Sequence, residues 1–280
     1  MKTALVLEGG AMRGMYTAGV LDVFIESGAR FDGVIGVSAG ALFGMNFLSG
    51  QKGRALRYNQ KYNRDRDYMG LRPLLREGNI VSTDYAYNRV PAVLDPFDNE
   101  RFKKNPTPFY AVMTNIVTGK PEYKRIRDVF AQVDCLRASG SMPYVSRPVV
   151  IGGRKYLDGA ITDSIPYDFM LSMGYDRLLV VLTKCDGYKK KPASPMMADL
   201  RYGLRYPELA MRIKNRHVMY NAQISRLKKL ERRGVADVLR PSVQVDLSKT
   251  EKDPKKLEAL YRVGIEDARA YIEAHGVPGR

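Results

Sequence analysis

The stretch DGVIGVSAGALFG, residues 32–44, decides how this chain is expected to fold. Its first half is an apolar run typical of a buried strand, and its second half is an apolar run typical of a helix. Between them lies a Gly-x-Ser-x-Gly pattern in which Gly36 and Gly40 flank Ser38. A serine on a sharp turn between a strand and a helix presents its hydroxyl at the edge of a sheet. We therefore predict that Ser38 is a nucleophile.

Short apolar runs and longer amphipathic stretches alternate on both sides of this turn, up to about residue 183. A helix is predicted at MYTAGVLDVFIESG (15–28), and strands are predicted at TALVLEGG (3–10), TPFYAVMTNIVTG (107–119) and DRLLVVLTK (176–184). The last of these is apolar enough to lie in the centre of a parallel sheet. Strands that alternate with helices in this order indicate an α/β fold.

The composition changes after residue 184. Residues 184–240 contain 15 lysines and arginines against 5 aspartates and glutamates, in a chain with a net charge of +16. A long helix is predicted from about Glu208 to Arg233, and its apolar stripe packs either on the core or on an anionic membrane. VLRPSVQVDL (238–247) is strand-like, and a final helix is expected from about 254 to 274. We divide the chain into a catalytic domain, 1–185, and a basic, mainly helical C-terminal extension packed on it, 186–280.

Composition also excludes several protein classes. Two cysteines, Cys135 and Cys185, cannot form a disulfide framework and favour a reducing compartment. The first apolar run is too short for a signal-peptide core, and no segment approaches 18 uncharged apolar residues. We expect a cytoplasmic protein, with peripheral contact at the inner membrane face as a hypothesis suggested by the charge. No zinc-finger, leucine-zipper or RNA-binding signature is present, so no nucleic acid partner is expected.

A second glycine-rich turn, GGAMRG (9–14), directly follows the first predicted strand. Backbone N–H groups in such a turn, at the start of a helix, bind anions. This suits an oxyanion hole for acyl transfer or, as an imperfect GxGxxG, the pyrophosphate of a dinucleotide. Arg13 within the turn either stabilises developing negative charge or braces the loop.

A serine nucleophile needs a base, and histidine is scarce. His217 lies in the predicted long helix, and His275 lies five residues from the C-terminus. Because neither follows a strand end, we expect the base to be another residue type.

A carboxylate in RKYLDGAITDSIP (154–166) meets the requirement. Asp158 ends a short predicted strand, and Gly159 and Ala160 let the chain turn tightly after it. An Asp-Gly pair is also typical of an ordinary β-turn. Asp163 precedes a helix-start pattern, so we expect it to cap that helix.

Taken together, GGAMRG, GVSAG and DGA resemble the motifs of the patatin-like phospholipase family over roughly residues 3–185. The resemblance implies a three-layer α/β/α fold with a mainly parallel central sheet. It also implies a serine–aspartate dyad without histidine, in which Ser38 is the nucleophile. Asp158 then takes the serine proton and later activates the hydrolytic water.

The resemblance further implies an oxyanion hole formed by the N–H groups of Gly10, Ala11 and Met12, with Arg13 in the family's basic position. Ala11 stands where the family has a glycine, and alanine tolerates left-handed backbone angles less well. The C-terminal part is similar to the helical extension of bacterial members. The other motif positions are Gly9, Gly14, Gly36, Gly40, Gly159 and Ala160.

The activity implied by the resemblance is hydrolysis of a carboxylic ester in a lipid or other acyl ester. No cofactor or metal is expected, since no Asp, Glu and His cluster has metal-ligand spacing. Residues 64–105 are either a lid or an ordinary connection. Three apolar residues of the helix after Ser38 line an acyl groove or belong to the core: Phe43, Met45 and Phe47.

Three alternatives remain open from the sequence. The same dyad suits a thioesterase or a non-lipid carboxylesterase. A membrane-binding protein with a decayed site would retain the same motifs. A dinucleotide-binding oxidoreductase would use the first glycine turn and recruit Glu26 or Asp32 as its ribose ligand.

Overall fold

One mixed sheet runs through the part of the chain that the structure describes, residues 1–279 of a computed structural model. The strand order is β5-β6-β3-β2-β1-β7-β8, and β4 also pairs with β3. The pairs β3–β2, β2–β1, β1–β7 and β7–β8 are parallel, whereas β4 and β6 run antiparallel to β3. The strands are β1 Thr3–Leu7, β2 Gly33–Val37, β3 Phe109–Asn115, β4 Lys120–Ile126, β5 Val149–Ile151, β6 Arg154–Asp158, β7 Arg177–Val181 and β8 Ala236–Leu239.

Helices cover both faces of this sheet. The α-helices are α1 Met15–Ser27, α2 Ala39–Leu48, α3 Arg54–Tyr62, α4 Leu71–Glu77, α5 Asn99–Lys104, α6 Val133–Gly140, α7 Tyr167–Ser172, α8 Pro195–Ala198, α9 Pro207–Arg232 and α10 Pro254–His275. Single 3₁₀ turns occupy Ala11–Gly14 and Gly159–Ile161, and π-helical turns occupy Tyr85–Leu94 and Asp199–Gly203.

The alternation of side chains along β1 separates two apolar layers. Leu5 and Leu7 pack in the core cluster that contains residues of α1, α2 and α10. Ala4 and Val6 point to the other face and pack in the cluster that contains residues of α7 and α9. Successive residues of a strand face opposite sides of the sheet, so one short apolar run supports both layers. The predicted three-layer α/β/α fold with a mainly parallel sheet is confirmed.

Strand β3 pairs with three other strands, β2, β4 and β6. One side of β3 pairs along its whole length with β4. On its other side, β2 pairs with residues 109–112 and β6 pairs with residues 113–115. The strands β2 and β6 therefore meet end to end, with Val37 opposite Val112 and Asp158 opposite Met113.

Helix α9 spans almost the range that its sequence predicts, and its apolar stripe packs on the core. Leu209, Ile213, Tyr220, Leu227 and Leu230 are all buried. The alternative in which this stripe faces a membrane is therefore wrong. The basic residues of the opposite face, such as Arg212, Arg226 and Lys229, are exposed.

The C-terminal part contributes a strand as well as helices. Strand β8 pairs with β7, so the sheet crosses the boundary predicted between residues 185 and 186, and that boundary stays a prediction. The strand predicted at 238–247 is wrong beyond Leu239, where Pro241 has no N–H to donate to a neighbouring strand. The final helix, α10, is confirmed. Within residues 1–279, no helix is both long and apolar enough to cross a bilayer.

Helix α10 crosses α1 at two glycines. A Cβ atom added to Gly264 would collide with the carbonyl oxygen of Tyr16, and one added to Gly19 would collide with that of Tyr261. The Tyr261 hydroxyl also donates to Asp22 Oδ2 on α1 (2.6 Å). The C-terminal helix thus lies directly against the helix that follows the first glycine-rich turn.

We expect Gly264→Val to lower the free energy of unfolding by ~1–3 kcal/mol, measured by urea denaturation, because two packed backbones would have to separate. Gly203→Ala is the control, since a Cβ there meets its nearest neighbour at 3.5 Å. A Gly264→Val protein as stable as the control would contradict this account of the helix crossing.

Candidate active site

The turn after β2 holds Ser38 in an unusual backbone conformation. Its angles are φ 54° and ψ −122°, a combination that costs a non-glycine residue ~1–3 kcal/mol. Helix α2 begins at the next residue, and the Ser38 N–H donates to Ser139 Oγ (2.9 Å). The turn has the strand–turn–helix form that the Gly-x-Ser-x-Gly pattern predicts. The role of Ser38 as a nucleophile stays a prediction.

Close packing explains why the motif positions carry no larger side chain. A Cβ atom at Gly9 would lie 2.9 Å from Ser38 Cβ, so the first glycine-rich turn touches the serine directly. Similar collisions, each with an atom closer than 3.0 Å, would occur at Gly10, Gly14, Gly36, Gly40 and Gly159.

Ser38 and Asp158 form a hydrogen bond. Ser38 Oγ donates to Asp158 Oδ2 at 2.9 Å, and Asp158 Oδ1 accepts from the N–H of Ala160 at 2.8 Å. Both residues are buried, with exposed fractions of 7% for Ser38 and 6% for Asp158. A carboxylate in this position can accept the serine proton.

Two serines at the end of α6 fix the two members of this pair, and the sequence analysis missed both. Ser139 accepts the Ser38 N–H, and the carbonyl oxygen of Ser141 accepts the Asp158 N–H (2.8 Å). The Thr114 hydroxyl on β3 donates to the Asp158 carbonyl (2.8 Å). The signal in the sequence was a Ser-Gly-Ser run after an amphipathic helix, which is too common to single out.

Burial raises the pKa of Asp158 above its ordinary value of 3.8. The Arg216 guanidinium, the Ala160 N–H and the Ser38 hydroxyl each stabilise the carboxylate and oppose part of that rise. A base whose pKa lies closer to neutrality is a stronger proton acceptor in the transition state.

The first glycine-rich turn presents unused backbone donors. No hydrogen bond within residues 1–279 uses the N–H of Gly10, Ala11 or Met12, whereas the Arg13 N–H donates to the Gly10 carbonyl (3.1 Å). Ala11 adopts a left-handed φ of 49° despite its Cβ. The assignment of these three donors to an oxyanion hole stays a prediction.

Backbone strain is concentrated around Ser38. Ala11, Ser38 and Tyr144 are the non-glycine residues with positive φ between residues 1 and 279. Ala11 and Tyr144 line the same cavity as Ser38. Strained backbone of this kind accumulates where a site must be held in a fixed shape.

The carboxyl ends of β1 and β7 are joined by a buried carboxyl group that the sequence analysis also missed. Glu8 Oε2 accepts from the Thr183 hydroxyl (3.0 Å) and from the Thr183 N–H. Burial raises the pKa of Glu8. The Thr183 side chain fills the space beside Gly10, so this contact shapes the glycine-rich turn.

An apolar cavity of about 120 Å³ opens at Ser38. Phe43 and Met45 belong to the buried core and also line this cavity, whereas Phe47 only packs against the core, with its ring 5.9 Å from that of Phe31. Much of the remaining wall comes from residues 64–105, including Tyr68, Met69, Ile80, Val81, Tyr87 and Val90. Motion of that segment as a lid stays a prediction.

A second cavity, of about 520 Å³, also opens at Ser38 and is lined by Asp158. We call it the polar cavity because charged side chains form part of its wall. His217 lines it from α9, where its Nδ1 lies 3.0 Å from the Lys214 carbonyl oxygen. His275 stacks on Tyr271 at the end of α10. Neither histidine is hydrogen-bonded to Ser38, as the sequence predicts.

Asp163 does not cap α7, so that expectation is wrong. Its carboxylate instead accepts from the Tyr123 hydroxyl (2.8 Å) and from Gln223 Nε2 (2.6 Å). The residue at the start of α7 is Pro166. Asp163 therefore ties the loop after β6 to β4 and α9.

Neither acidic residue that the dinucleotide alternative would use as a ribose ligand lies beside the first glycine-rich turn. Asp32 precedes β2 and accepts from the Thr3 N–H (2.7 Å), so it lies at the amino ends of β1 and β2. Glu26 is near the end of α1 and pairs with Lys52. The first glycine turn follows β1 at the opposite edge of the sheet. Among residues 1–279, no group of three His, Cys, Asp or Glu side chains is placed to hold a metal ion.

The sequence profile of the patatin-like phospholipase family matches residues 5–171, and that of a domain of unknown function (DUF6363) matches residues 206–276. The uncharacterised protein YjjU of Escherichia coli is 31% identical over 188 residues, which cover 65% of this chain and 52% of YjjU. The chain thus spans about half the length of YjjU.

Two further proteins are similar to this chain. Lysophospholipase nte1 of Aspergillus fumigatus is 27% identical over 63% of this chain and 12% of its own length. The crystal structure of VipD from Legionella pneumophila superposes with a TM-score of 0.48 at 13% identity, covering 98% of this chain and 67% of VipD.

We expect Asp158→Asn to lower kcat on an ester substrate on the order of 10⁴-fold, because the amide cannot accept the serine proton. The amide keeps the size of the side chain and can still accept from the Ala160 N–H. A raised carboxyl pKa means that the folded protein loses stability as pH rises through that pKa. The variant should therefore be at least as stable as the parent at pH 8, measured by thermal unfolding, with the difference shrinking in acid.

Either of two results would contradict this assignment: activity within tenfold of the parent, or a variant that is less stable than the parent at pH 8.

Proposed function

The chain belongs to the patatin-like phospholipase family, and we propose that it is a serine hydrolase that cleaves carboxylic esters of lipids through Ser38 and Asp158. The observation that carries the proposal is the 2.9 Å hydrogen bond between Ser38 Oγ and Asp158 Oδ2 at the junction of an apolar and a polar cavity. An acyl chain suits the apolar cavity, and the alcohol part of an ester suits the polar cavity.

In the proposed mechanism, Ser38 Oγ attacks the acyl carbonyl carbon while Asp158 accepts the hydroxyl proton. The N–H groups of Gly10, Ala11 and Met12 bind the resulting oxyanion, as donors that have no partner among residues 1–279. Asp158 then returns the proton to the leaving alcohol, and the acyl group stays on Ser38.

Water completes the cycle. Asp158 removes a proton from a water molecule, whose oxygen attacks the acyl-serine ester. Collapse of the second oxyanion releases the fatty acid, and Asp158 returns its proton to Ser38 Oγ, which restores the hydroxyl. The same steps would cleave a thioester, but the apolar cavity beside Ser38 favours a lipid acyl chain as the substrate.

We expect Ser38→Ala to lower kcat on a lysophospholipid on the order of 10⁴-fold or more, because no acyl-enzyme can form. The measurement is release of free fatty acid by purified protein. Ser139→Ala is a useful comparison, since it removes the acceptor of the Ser38 N–H but keeps the nucleophile, and we expect it to retain more activity. Unchanged hydrolysis by Ser38→Ala would overturn the proposal.

We further propose peripheral contact with an anionic membrane through the segment that contains α8 and the following π-helical turn. Four of its apolar side chains are more than half exposed: Met196, Met197, Leu200 and Leu204. Arg201 and Arg205 lie among them and are exposed as well. Buried Tyr202 joins this segment to the polar cavity, because its hydroxyl accepts the N–H of Tyr144 (2.9 Å). Exposed apolar and basic residues together suit a bilayer with anionic headgroups.

We expect Leu200→Ser combined with Leu204→Ser to weaken binding to vesicles that contain phosphatidylglycerol on the order of tenfold, since two exposed leucines no longer enter the bilayer. Cosedimentation at constant salt measures the binding. Val93→Ser combined with Val150→Ser removes two exposed side chains elsewhere and is the matched control. Equal binding by the two double variants would refute this docking segment.

A further inference from the structure

The polar cavity beside Ser38 is lined by an unusual number of cations. Arg13 comes from the first glycine-rich turn, Lys184, Lys190 and Lys191 from the loop after β7, Arg216 from α9 and Lys249 from the loop before α10. Five of these six residues, all except Arg13, lie beyond residue 171, where the match to the patatin-like profile ends.

None of these six cations forms an ion pair within 4.0 Å in the part of the chain that the structure describes, and two of them lie over aromatic rings. Lys184 Nζ lies 4.7 Å from the centre of the Tyr188 ring, and Lys190 Nζ lies 5.3 Å from that of Tyr220. The Nε atoms of Arg13 and Arg216 are buried and have no hydrogen-bond partner. Buried donors without partners are rare in folded proteins, so these two guanidinium groups indicate a missing acceptor.

Two carboxyl groups face the same cavity, and both are already engaged. Glu8 is bonded to Thr183, and Asp158 is bonded to Ser38 and Ala160. The six cations therefore outnumber the carboxyl groups of the cavity by four. Burial, and then the nearby Arg216, lower the pKa of Lys190 to about 8. An anion in the cavity would favour the charged lysine and provide an acceptor for both guanidinium groups.

We propose that this cavity binds the phosphate of the substrate's alcohol part, so that the preferred substrate is an acyl ester of glycerol phosphate. The inference rests on the proposed lipid hydrolase function and names its substrate class. A guanidinium group binds phosphate through parallel hydrogen bonds, and a lysine adds a point charge.

The arrangement of the two cavities supports a headgroup as the source of the phosphate. Ser38, Ala11 and Lys249 line both the apolar and the polar cavity. A lipid whose ester carbonyl lies at Ser38 would place its acyl chain on one side and its phosphate on the other. Hydrolysis would then release a fatty acid on the apolar side and glycerol phosphate on the cationic side, with one water consumed.

The test compares two substrates with the same acyl chain in the same neutral detergent micelles: 1-acyl-glycerol 3-phosphate and the uncharged 1-acyl-glycerol. We expect Lys190→Met and Arg216→Met each to lower the ratio of kcat/KM for the phosphate ester over the uncharged ester on the order of 10–100-fold. The ratio cancels any effect that loss of Arg216 has on Asp158, because both substrates use the same base.

Matched controls are available one residue and one helical turn away. Lys189→Met and Arg212→Met remove the same charges from exposed positions that do not line the cavity, and we expect the ratio to stay within about threefold of the parent, consistent with screening of exposed charges. A ratio that falls equally in the controls, or that does not fall in the cavity variants, would overturn the proposal.

Two further measurements separate this inference from the proposed function. If the parent hydrolyses neither ester, the proposed function fails, and calorimetric binding of glycerol 3-phosphate tests the anion site alone. Binding that is lost in Arg216→Met and kept in Arg212→Met would support the site, whereas no binding by the parent would refute it. Inorganic phosphate should compete with the phosphate ester. Stimulation of 1-acyl-glycerol hydrolysis by inorganic phosphate would instead identify a free effector and overturn the headgroup assignment.

Discussion

Ser38 and Asp158 meet because β2 and β6 share one side of β3. Strand β4 occupies the other side, so the two shorter strands must follow one another along the same edge, and they abut between Val112 and Met113. The residue after β2 and the last residue of β6 are then neighbours, although 120 positions separate them in the chain. Backbone pairing, which any sequence of strand-forming residues could make, thus sets the distance between the two side chains.

This end-to-end junction leaves little space, and the surrounding residues reflect it. Gly9 lies against Ser38, Gly159 lies against the backbone of Val112, and Ser38 itself has a strained conformation. Asp158 is buried where a charge is costly, which raises its pKa. The strained backbone and the buried carboxyl group lower the stability of the fold, and packing elsewhere must offset this cost. The close crossing of α1 and α10 is one such contribution.

Patterns in the sequence predicted what local geometry determines. The alternation of apolar runs indicated the α/β class, and Gly-x-Ser-x-Gly located the sharp turn, because strand, turn and helix follow one another along the chain. Contacts between distant segments could not be predicted from such patterns. Ser139 and Ser141 hold Ser38 and Asp158, but their spacing in the sequence gives no sign of these contacts. Asp163 was assigned to a helix cap because its nearest sequence neighbours suggested one, whereas its partners Tyr123 and Gln223 are 40 and 60 residues away. The sequence also left open whether Phe47 belongs to the core or to an acyl groove, and its contact with Phe31, from a different segment, assigns it to the core.

The most direct test of the central claim, that a buried aspartate activates Ser38, is the rate of labelling by a fluorophosphonate as a function of pH, with the labelled peptide mapped. The account predicts label on Ser38 and a rate that rises with pH through one ionisation above 3.8, the ordinary pKa of an aspartate. It also predicts that Asp158→Asn abolishes that rise. Label on another residue, or the same pH profile in the Asp158→Asn protein, would contradict it.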